Sequence, residues 1–251
     1  MVRQIIRKAV LKNRLLFKIY YQYIFKPRDL LEKFLDERSR ARKGNFFFVQ
    51  VGANDGIWND PLYKFIRRDR WKGILIEPQK NVFSKLINNY RKSKGLIFEN
   101  VAIDSIKGSR NLYKISFSES QWATGLSSFN REDVQRMIDA GYAERMAAQE
   151  KVVPPSDKSE WISMETVVVE TFSDVMARHN VRDIDLVMID AEGYDYEIIK
   201  TIPFKDLSIR AVVWEHSHHT AELKRESREY LSLLGYRILE CESDTIAYKD
   251  I

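Results

Sequence analysis

Acidic and imidazole side chains gather in two short stretches near the end of the chain. One holds Asp190 and Glu192, and the other is residues 215–219, EHSHH. Carboxylates and imidazoles are the groups that proteins use to accept protons from weak acids such as hydroxyl groups. His216 is the first candidate base because the unperturbed pKa of histidine is close to neutrality, and Asp190 is the second. A buried structural role is the alternative for His216.

The same stretches allow a metal-assisted reading. Asp190, Glu192 and Glu215 supply oxygen ligands of the kind that Mg²⁺ prefers. A bound Mg²⁺ would lower the pKa of neighbouring hydroxyl groups on a ligand. The chain has no linear metal-binding motif, so the metal-free and the metal-assisted versions both stay open.

Short apolar runs predict the strands that bring these groups to one edge of a sheet. The predicted strands are residues 46–49, 73–76, 185–189, 210–215 and 237–240, and residues 96–102 are predicted to contain the third strand and its exit. Helices are predicted from Asp60-Pro61 onwards and over residues 132–150, 171–180 and 194–201. Alternation of such strands and helices is typical of a parallel α/β sheet, in which ligands bind at the carboxyl ends of the strands.

The loop after the first strand is the clearest ligand signal. Residues 50–56, QVGANDG, contain two glycines spaced G-x-x-x-G. A dinucleotide site needs G-x-G-x-x-G, and a Walker loop needs G-K-[ST], so neither fits. The loop suits an adenosine-containing ligand without phosphates, such as S-adenosylmethionine (SAM).

The next strand ends in a carboxylate. Glu77 follows the run 73–76, where an acidic side chain can accept hydrogen bonds from both ribose hydroxyls. A solvated strand end is the alternative. Residues 100–103 fall where the adenine ring is expected.

These segments together resemble a known family. VQVGANDG, ILIEP, ENVAI, VVVETFSDVM, DLVMIDAEGYDYEIIK and AVVWEH follow, in order, the blocks of FkbM-type SAM-dependent methyltransferases. The resemblance covers roughly residues 45–240. It implies a Rossmann-like class I methyltransferase fold: a mostly parallel seven-stranded sheet with helices on both faces and the last strand antiparallel. It also implies O-methylation of a sugar, a glycan or a similar hydroxylated acceptor.

The resemblance carries a set of site residues by position. Asp190 and Glu192 would face the methionine end of SAM and the acceptor, which makes Glu192 a further catalytic candidate, and Glu215 would contact the substrate. Gln50 stands where many class I enzymes have an acidic residue. The residues expected to bind SAM are Gln50, Gly52, Ala53, Asn54, Gly56, Glu77, Asn100, Val101, Ala102 and Asp190.

A long insertion, residues 116–163, separates the third and fourth strands of the core. It contains the polar and aromatic run 121–128, in which Trp122 is suited to stack on a sugar ring. A segment of this length with its own predicted helix is expected to form a substrate lid or wall. A surface excursion without a catalytic part is the alternative.

Charge is concentrated at the N-terminus. Residues 1–45 carry 13 Lys/Arg and 4 Asp/Glu, a net charge of +9, whereas the rest of the chain carries −4. We expect two parts, a basic amphipathic helical segment (1–44) and a methyltransferase domain (45–251). The apolar stripe of residues 1–26 could lie on an anionic membrane or pack on protein. The acidic body and the absence of a binding motif disfavour nucleic acid.

A single cysteine excludes an internal disulfide and favours the cytoplasm, with contact at the inner membrane face as an extension. Two rival functions remain. One is a catalytically idle member of the fold that serves as a binding or membrane scaffold, and the other is a nicotinamide enzyme, which the missing third glycine disfavours. The sequence reveals neither the acceptor nor the oligomeric state.

Overall fold

A computed structural model describes residues 14–42, 44–217 and 219–250. A π-helical turn, Tyr20–Ile24, follows the first helix, and a 3₁₀ turn, Lys158–Trp161, precedes β6. The α-helices are α1 (Arg14–Ile19), α2 (Leu30–Ala41), α3 (Tyr63–Asp69), α4 (Lys80–Tyr90), α5 (Gln121–Gly125), α6 (Arg131–Asp139), α7 (Tyr142–Glu150), α8 (Phe172–Arg178), α9 (Asp195–Thr201) and α10 (Ala221–Leu233).

The strands form a seven-stranded sheet and two smaller ones. They are β1 (Phe47–Val51), β2 (Lys72–Ile76), β3 (Leu96–Glu99), β4 (Ala102–Ile103), β5 (Gly108–Ile115), β6 (Ile162–Glu170), β7 (Asp183–Ile184), β8 (Leu186–Ile189), β9 (Ser208–Ile209), β10 (Ala211–Glu215), β11 (Arg237–Glu240) and β12 (Asp244–Tyr248). The large sheet has the order β11-β12-β10-β8-β1-β2-β3. β1, β2, β3, β8 and β10 are parallel, and β12 runs antiparallel to both of its neighbours.

The fold predicted from the sequence is confirmed. The sheet is mostly parallel, and the last strand is the antiparallel one, as in class I methyltransferases. Its strands are apolar because both faces are covered. On β1, Val49 and Val51 belong to the apolar cluster on one face, and Phe48 belongs to the cluster on the other. Burying each such side chain contributes about 1.5–3 kcal/mol.

Two predicted helices differ from the structure, and the exit of the third strand contains a short strand of its own. The helix expected from Pro61 begins at Tyr63, because the Asp55 and Asp60 carboxylates bind the amides of residues 57, 58 and 62 in a preceding turn. The third strand ends at Glu99, and Ala102–Ile103 pairs with β6 in a second sheet. The helix expected over 132–150 is two helices, because Gly141 adopts a left-handed φ of 70° between α6 and α7.

The insertion is built on a ribbon of two antiparallel strands, β5 and β6. Three helices, α5 to α7, lie between them. They share a small apolar cluster that is distinct from the two clusters on the large sheet. Its buried members are Ile115, Ala123, Val134, Ile138, Ala143 and Trp161.

The N-terminal segment packs one apolar face on the domain. Phe17 is buried, its ring lies 6.0 Å from that of Tyr63, and the Arg67 guanidinium lies 4.2 Å from its centroid. Tyr21 and Phe25 continue this face. The part of the predicted basic helical segment before residue 14 lies outside the described residues. Among those described, no helix combines the length and apolar character that crossing a bilayer requires.

Candidate active site

The loop after β1 crosses directly over the end of β8. The amides of Gly52 and Ala53 both donate to the Ile76 carbonyl at 3.0 Å, and the Asp190 amide donates to the Val51 carbonyl at 3.0 Å. Gly52 has a φ of 79°, and a Cβ placed on it would stand 1.8 Å from the Asp190 carbonyl oxygen. Only glycine allows the two strand ends to approach so closely.

A cavity opens beside this crossing; together with the open solvent at its mouth it encloses about 690 Å³. Three groups of residues line it: the ends of the parallel strands, the segment after β3, and the insertion. Among the lining residues are Gly52, Asn54, Glu77, Gln79, Val101, Ala102, Ile103, Leu112, Thr124, Gly125, Ser127, Ser128, Phe129, Asp190, Glu192, Tyr194 and Ile198.

Glu77 lies on the cavity wall at the end of β2. Its side chain is 3 % exposed, and its two carboxylate oxygens accept from the amides of Asn54 at 3.0 Å and Gln79 at 2.9 Å. Burial raises the pKa of Glu77 from 4.5 to about 7, against the lowering effect of these hydrogen bonds. The hydrogen bonds fix the carboxylate in one orientation, as recognition of a diol requires.

One end of the cavity is apolar. Val101, Ala102, Ile103 and Leu112 line it, together with the ring of Phe129. Behind that ring the Arg110 guanidinium lies 4.0 Å from the centroid. Arg110 pairs with Asp104, and both bind the Tyr194 hydroxyl. An aromatic base fits a wall of this composition.

Two carboxylates line the cavity after β8. Asp190 is exposed, and it lines the cavity, so its exposed surface faces the cavity. Protein surrounds the rest of its carboxyl group. Burial raises the pKa of Asp190 well above its usual value, with further contributions from Glu192 and Glu215. Burial likewise raises the pKa of Glu192 to about 8, helped by Glu215 and Asp195.

A third carboxylate, Asp195, supports the turn that carries them. Its oxygens accept from the amides of Ala191 at 3.3 Å and Gly193 at 3.1 Å, and its pKa is raised to about 7 by burial. Glu192 has a φ of 51°, an uncommon left-handed conformation that this turn stabilises. His219 Nε2 lies 3.9 Å from Asp195 Oδ2. His219 is buried, and His218 lies outside the described residues.

His216 and Glu215 lie at the end of β10, next to β8, as predicted. Within the described structure, neither residue lines the cavity. His216 Nδ1 is 2.8 Å from the Thr245 hydroxyl, and its amide donates to the Ser243 carbonyl. Burial lowers the pKa of His216, so its neutral form is favoured. Glu215 acts on the site through its negative charge, which raises the pKa of Glu192.

Five other candidate residues lie beside the cavity without lining it in the described structure. Gln50 lies close enough to the Asp60 carboxyl group to offset part of the rise that burial causes in the pKa of Asp60, and Ala53 packs in the core. A Cβ on Gly56 would meet Tyr90 at 2.4 Å, which makes this glycine a packing requirement. Asn100 donates to the Glu77 carbonyl at 2.8 Å, and Trp122 donates to Glu150 at 2.9 Å. Their roles in ligand binding stay predictions.

The magnesium alternative gains no support. Among the described residues, no group of three or more His, Cys, Asp or Glu side chains is arranged to hold a metal ion. Glu215 lies close enough to raise the pKa of both Asp190 and Glu192, but the three residues do not form a ligand set.

The residues that line the cavity fit an adenosyl ligand. Glu77 offers two oriented carboxylate oxygens to a diol, the segment 101–103 offers an apolar wall to a base, and Asp190 and Glu192 place carboxyl oxygens at the other side of the cavity. Several residues of this site were not predicted, namely Gln79, Leu112, Phe129 and Tyr194. Leu112 and Phe129 carry no local signal, because the ribbon of β5 and β6 brings them to the site from outside the core strands.

Comparisons with known proteins identify the family of this chain. The sequence profile of the family described as "Methyltransferase FkbM domain" matches residues 50–238. No curated protein matches the chain.

Among solved structures, the methyltransferase FkbM of Methylobacillus flagellatus KT is 11% identical with a TM-score of 0.48, over 82% of this chain and 44% of that chain. The chain therefore spans less than half of that protein. Precorrin-6y C5,15-methyltransferase of Geobacter metallireducens is 11% identical with a TM-score of 0.42, over 87% and 88% of the two chains. Aeropyrum pernix fibrillarin, with natively bound SAM, is 8% identical with a TM-score of 0.43, over 95% and 75%. Scores this low carry no statement about function.

Proposed function

Because the chain belongs to the FkbM methyltransferase family and is a SAM-dependent methyltransferase, we propose that it methylates a hydroxyl oxygen of a sugar, a glycan or a similar small acceptor. The observation that carries this proposal is the single cavity in which Glu77, the Gly52 loop and the carboxylates of Asp190 and Glu192 meet. When bound, SAM supplies an electrophilic methyl group on a cationic sulfonium.

The lining residues divide the cavity between the two ligands. Glu77 would hold the ribose, and the apolar end at residues 101–103 would hold the adenine. Asp190 and Glu192 would then lie at the end where the acceptor enters. In such a site, most of the catalytic work is to align the acceptor oxygen.

Glu192 is the base that the placement favours. A hydroxyl group needs a proton acceptor within hydrogen-bond reach, and a pKa near the working pH is the most effective. The pKa of Glu192 is about 8, and its side chain lines the cavity. Asp190 is the second candidate. His216, the first choice from the sequence, is held by Thr245 beside the cavity and becomes the third.

The insertion offers the acceptor a polar wall. Thr124, Ser127 and Ser128 line the cavity and carry hydroxyl groups that can exchange hydrogen bonds with a hydroxylated ligand. A Cβ on Gly125 would lie 3.4 Å from Glu192 Oε1, so the wall stands directly against the proposed base. Trp122 stays a candidate for stacking at the outer rim.

Two measurements test the proposal. Calorimetric titration with SAM and S-adenosylhomocysteine should show binding of both. Incubation with [¹³C-methyl]SAM and a panel of sugars, nucleotide sugars and lipid-linked glycans should yield a product whose methyl carbon has the chemical shift of a methyl ether. Binding without transfer to any acceptor in the panel would favour the idle scaffold, and transfer to nitrogen or carbon would contradict O-methylation.

We further propose that the exposed face of the N-terminal segment docks on an anionic membrane surface. While Phe17, Tyr21 and Phe25 pack on the domain, Tyr23 and Ile24 are 82% and 61% exposed on the other side. No acidic residue precedes Asp29, and residues 1–45 carry a net charge of +9. Apolar side chains within a basic segment are typical of helices that lie at a lipid interface.

Co-sedimentation with vesicles tests this second proposal. We expect the protein to bind phosphatidylglycerol vesicles, to bind phosphatidylcholine vesicles about tenfold less, and to be released by salt. Replacing both Tyr23 and Ile24 by Ser should lower vesicle binding at least several-fold. Val153→Ser, which alters a 90% exposed residue of the insertion, is the matched control. Equal binding to both lipids would count against the proposal.

A further inference from the structure

Gln79 is a buried polar residue between the Glu77 strand end and the insertion. It is the N-cap residue of α4, but its side chain makes no capping hydrogen bond in the described structure. The side chain is 2% exposed and lines the cavity. Its backbone amide donates to Glu77 Oε1 at 2.9 Å.

The Gln79 amide group has one orientation. Nε2 donates to the Thr124 carbonyl at 2.9 Å and to the Ser127 hydroxyl at 3.2 Å. A carbonyl oxygen only accepts, so the reversed amide would place two acceptors against each other. Oε1 is therefore the atom left over, and it has no hydrogen-bond partner among the described residues.

A buried acceptor without a donor is unfavourable and calls for an explanation. The Glu77 carboxyl group lies close to the Gln79 side chain, which helps to hold the pKa of Glu77 down. A carboxylate only accepts hydrogen bonds, so Glu77 can donate to Oε1 only when it is protonated. The adenosyl group of the cofactor carries three donor groups, which are the two ribose hydroxyls and the adenine amine.

We propose that Gln79 is a specificity and positioning residue. Its Oε1 accepts a hydrogen bond from the adenosyl group, and its Nε2 holds the segment 124–127 of the insertion. One side chain thus joins the occupied cofactor site to the wall against which the acceptor lies. The cofactor must occupy this cavity for Gln79 to act in this way, so the inference rests on the proposed function.

A thermodynamic cycle between ligand and side chain tests the acceptor role. The ligands are S-adenosylhomocysteine, its 2′-deoxy and 3′-deoxy analogues, and the analogue in which hydrogen replaces the adenine amine. Affinities are measured by calorimetry for the wild type and for Gln79→Met, which keeps the size of the side chain. Gln135→Met, on α6 and away from the cavity lining, makes the same change as a control.

We expect one of the three deletions to cost about tenfold more affinity in the wild type and in Gln135→Met than it does in Gln79→Met. That deletion identifies the donor as ribose or adenine. Equal costs in all proteins would overturn the acceptor role while leaving the proposed function intact. A wild type that bound none of the ligands would overturn both.

Hydrogen exchange tests the positioning role. S-adenosylhomocysteine should slow exchange across residues 123–129 in the wild type and much less in Gln79→Met. Ser127→Ala removes one tether but leaves Oε1 intact, so exchange should rise there while affinity stays within about threefold. Urea unfolding of each variant separates these effects from a general loss of stability. Identical exchange in all variants would overturn the positioning role.

Discussion

Gly52 and Asp190 hold the two halves of the site together through backbone contact. A Cβ on Gly52 would stand 1.8 Å from the Asp190 carbonyl oxygen, and the φ of Gly52 is 79°. The cofactor loop and the turn with the proposed base therefore share one fixed separation, set by a hydrogen atom in place of a methyl group.

Gly52→Ala should lose cofactor binding and much of the stability. A left-handed φ alone costs a non-glycine residue about 1–2 kcal/mol, and here a backbone clash is added. Gly235→Ala is a matched control, because its φ is 83° and nothing lies within 4 Å of the added Cβ. Urea unfolding should show a small loss for Gly235→Ala and a much larger one for Gly52→Ala. Equal losses would mean that the close approach is unimportant.

Glu77→Gln should weaken cofactor binding at least about tenfold, which corresponds to about 1.4 kcal/mol. The amide keeps the shape but replaces one oriented acceptor with a donor. Because the pKa of Glu77 is about 7, affinity in the wild type should also fall as the pH drops below that value and the carboxyl group takes up a proton. Calorimetry with S-adenosylhomocysteine at several pH values measures both effects. Unchanged affinity would remove Glu77 from the site.

Glu192→Gln should lower kcat by about 10²–10⁴-fold, the usual range for loss of a general base. Cofactor affinity should change far less, because the variant keeps the size of the side chain. In the wild type, kcat should rise with pH as Glu192 loses its proton. This rise should be absent in the variant. Glu242→Gln, an exposed residue in a turn, is the control. If Asp190→Asn alone abolished turnover, Asp190 would be the base instead.

The same substitution should change stability in a pH-dependent way. Burial, with the charges of Glu215 and Asp195, raises the pKa of Glu192 from 4.5 to about 8. The folded protein binds more protons than the unfolded chain in that interval, so its stability falls as the pH rises through it. Glu192→Gln should therefore melt above the wild type at about pH 8.5 and level with it near pH 4.5. Each kcal/mol regained raises Tm by about 2–4 °C.

His216→Asn should leave kcat within about threefold of the wild type. Asn can keep a hydrogen bond to Thr245, which His216 Nδ1 approaches at 2.8 Å, and His216 does not line the described cavity. Steady-state kinetics at saturating cofactor measures the effect. A hundredfold loss of kcat with normal cofactor affinity would restore His216 as the base.

The core of the fold could be predicted because its signals are local. Buried runs such as residues 73–76 and 185–189 indicate strands, and Gly52 indicates the sharp turn that follows β1. The boundaries near residues 60 and 100 could not, because side-chain hydrogen bonds from Asp55, Asp60 and Asn100 decide them. Such contacts cannot be predicted from the type of a single residue.

The candidate site was most directly predictable where it is built from strand ends. Glu77, Asp190 and Glu192 follow parallel strands, so their shared edge follows from topology. Gln79, Phe129 and Tyr194 enter through tertiary contacts that span the insertion. The orientation of His216 depends on Thr245 in β12, a strand that the sequence pattern did not reveal.

The separate apolar cluster of α5 to α7 makes the packing of this region partly independent of the large sheet. Since Val134, Ile138 and Trp161 pack among themselves rather than into the sheet, substitutions in α6 and α7 should disturb the large sheet less than substitutions in its own apolar clusters. Diversification of substrates within such a scaffold should therefore concentrate between β5 and β6.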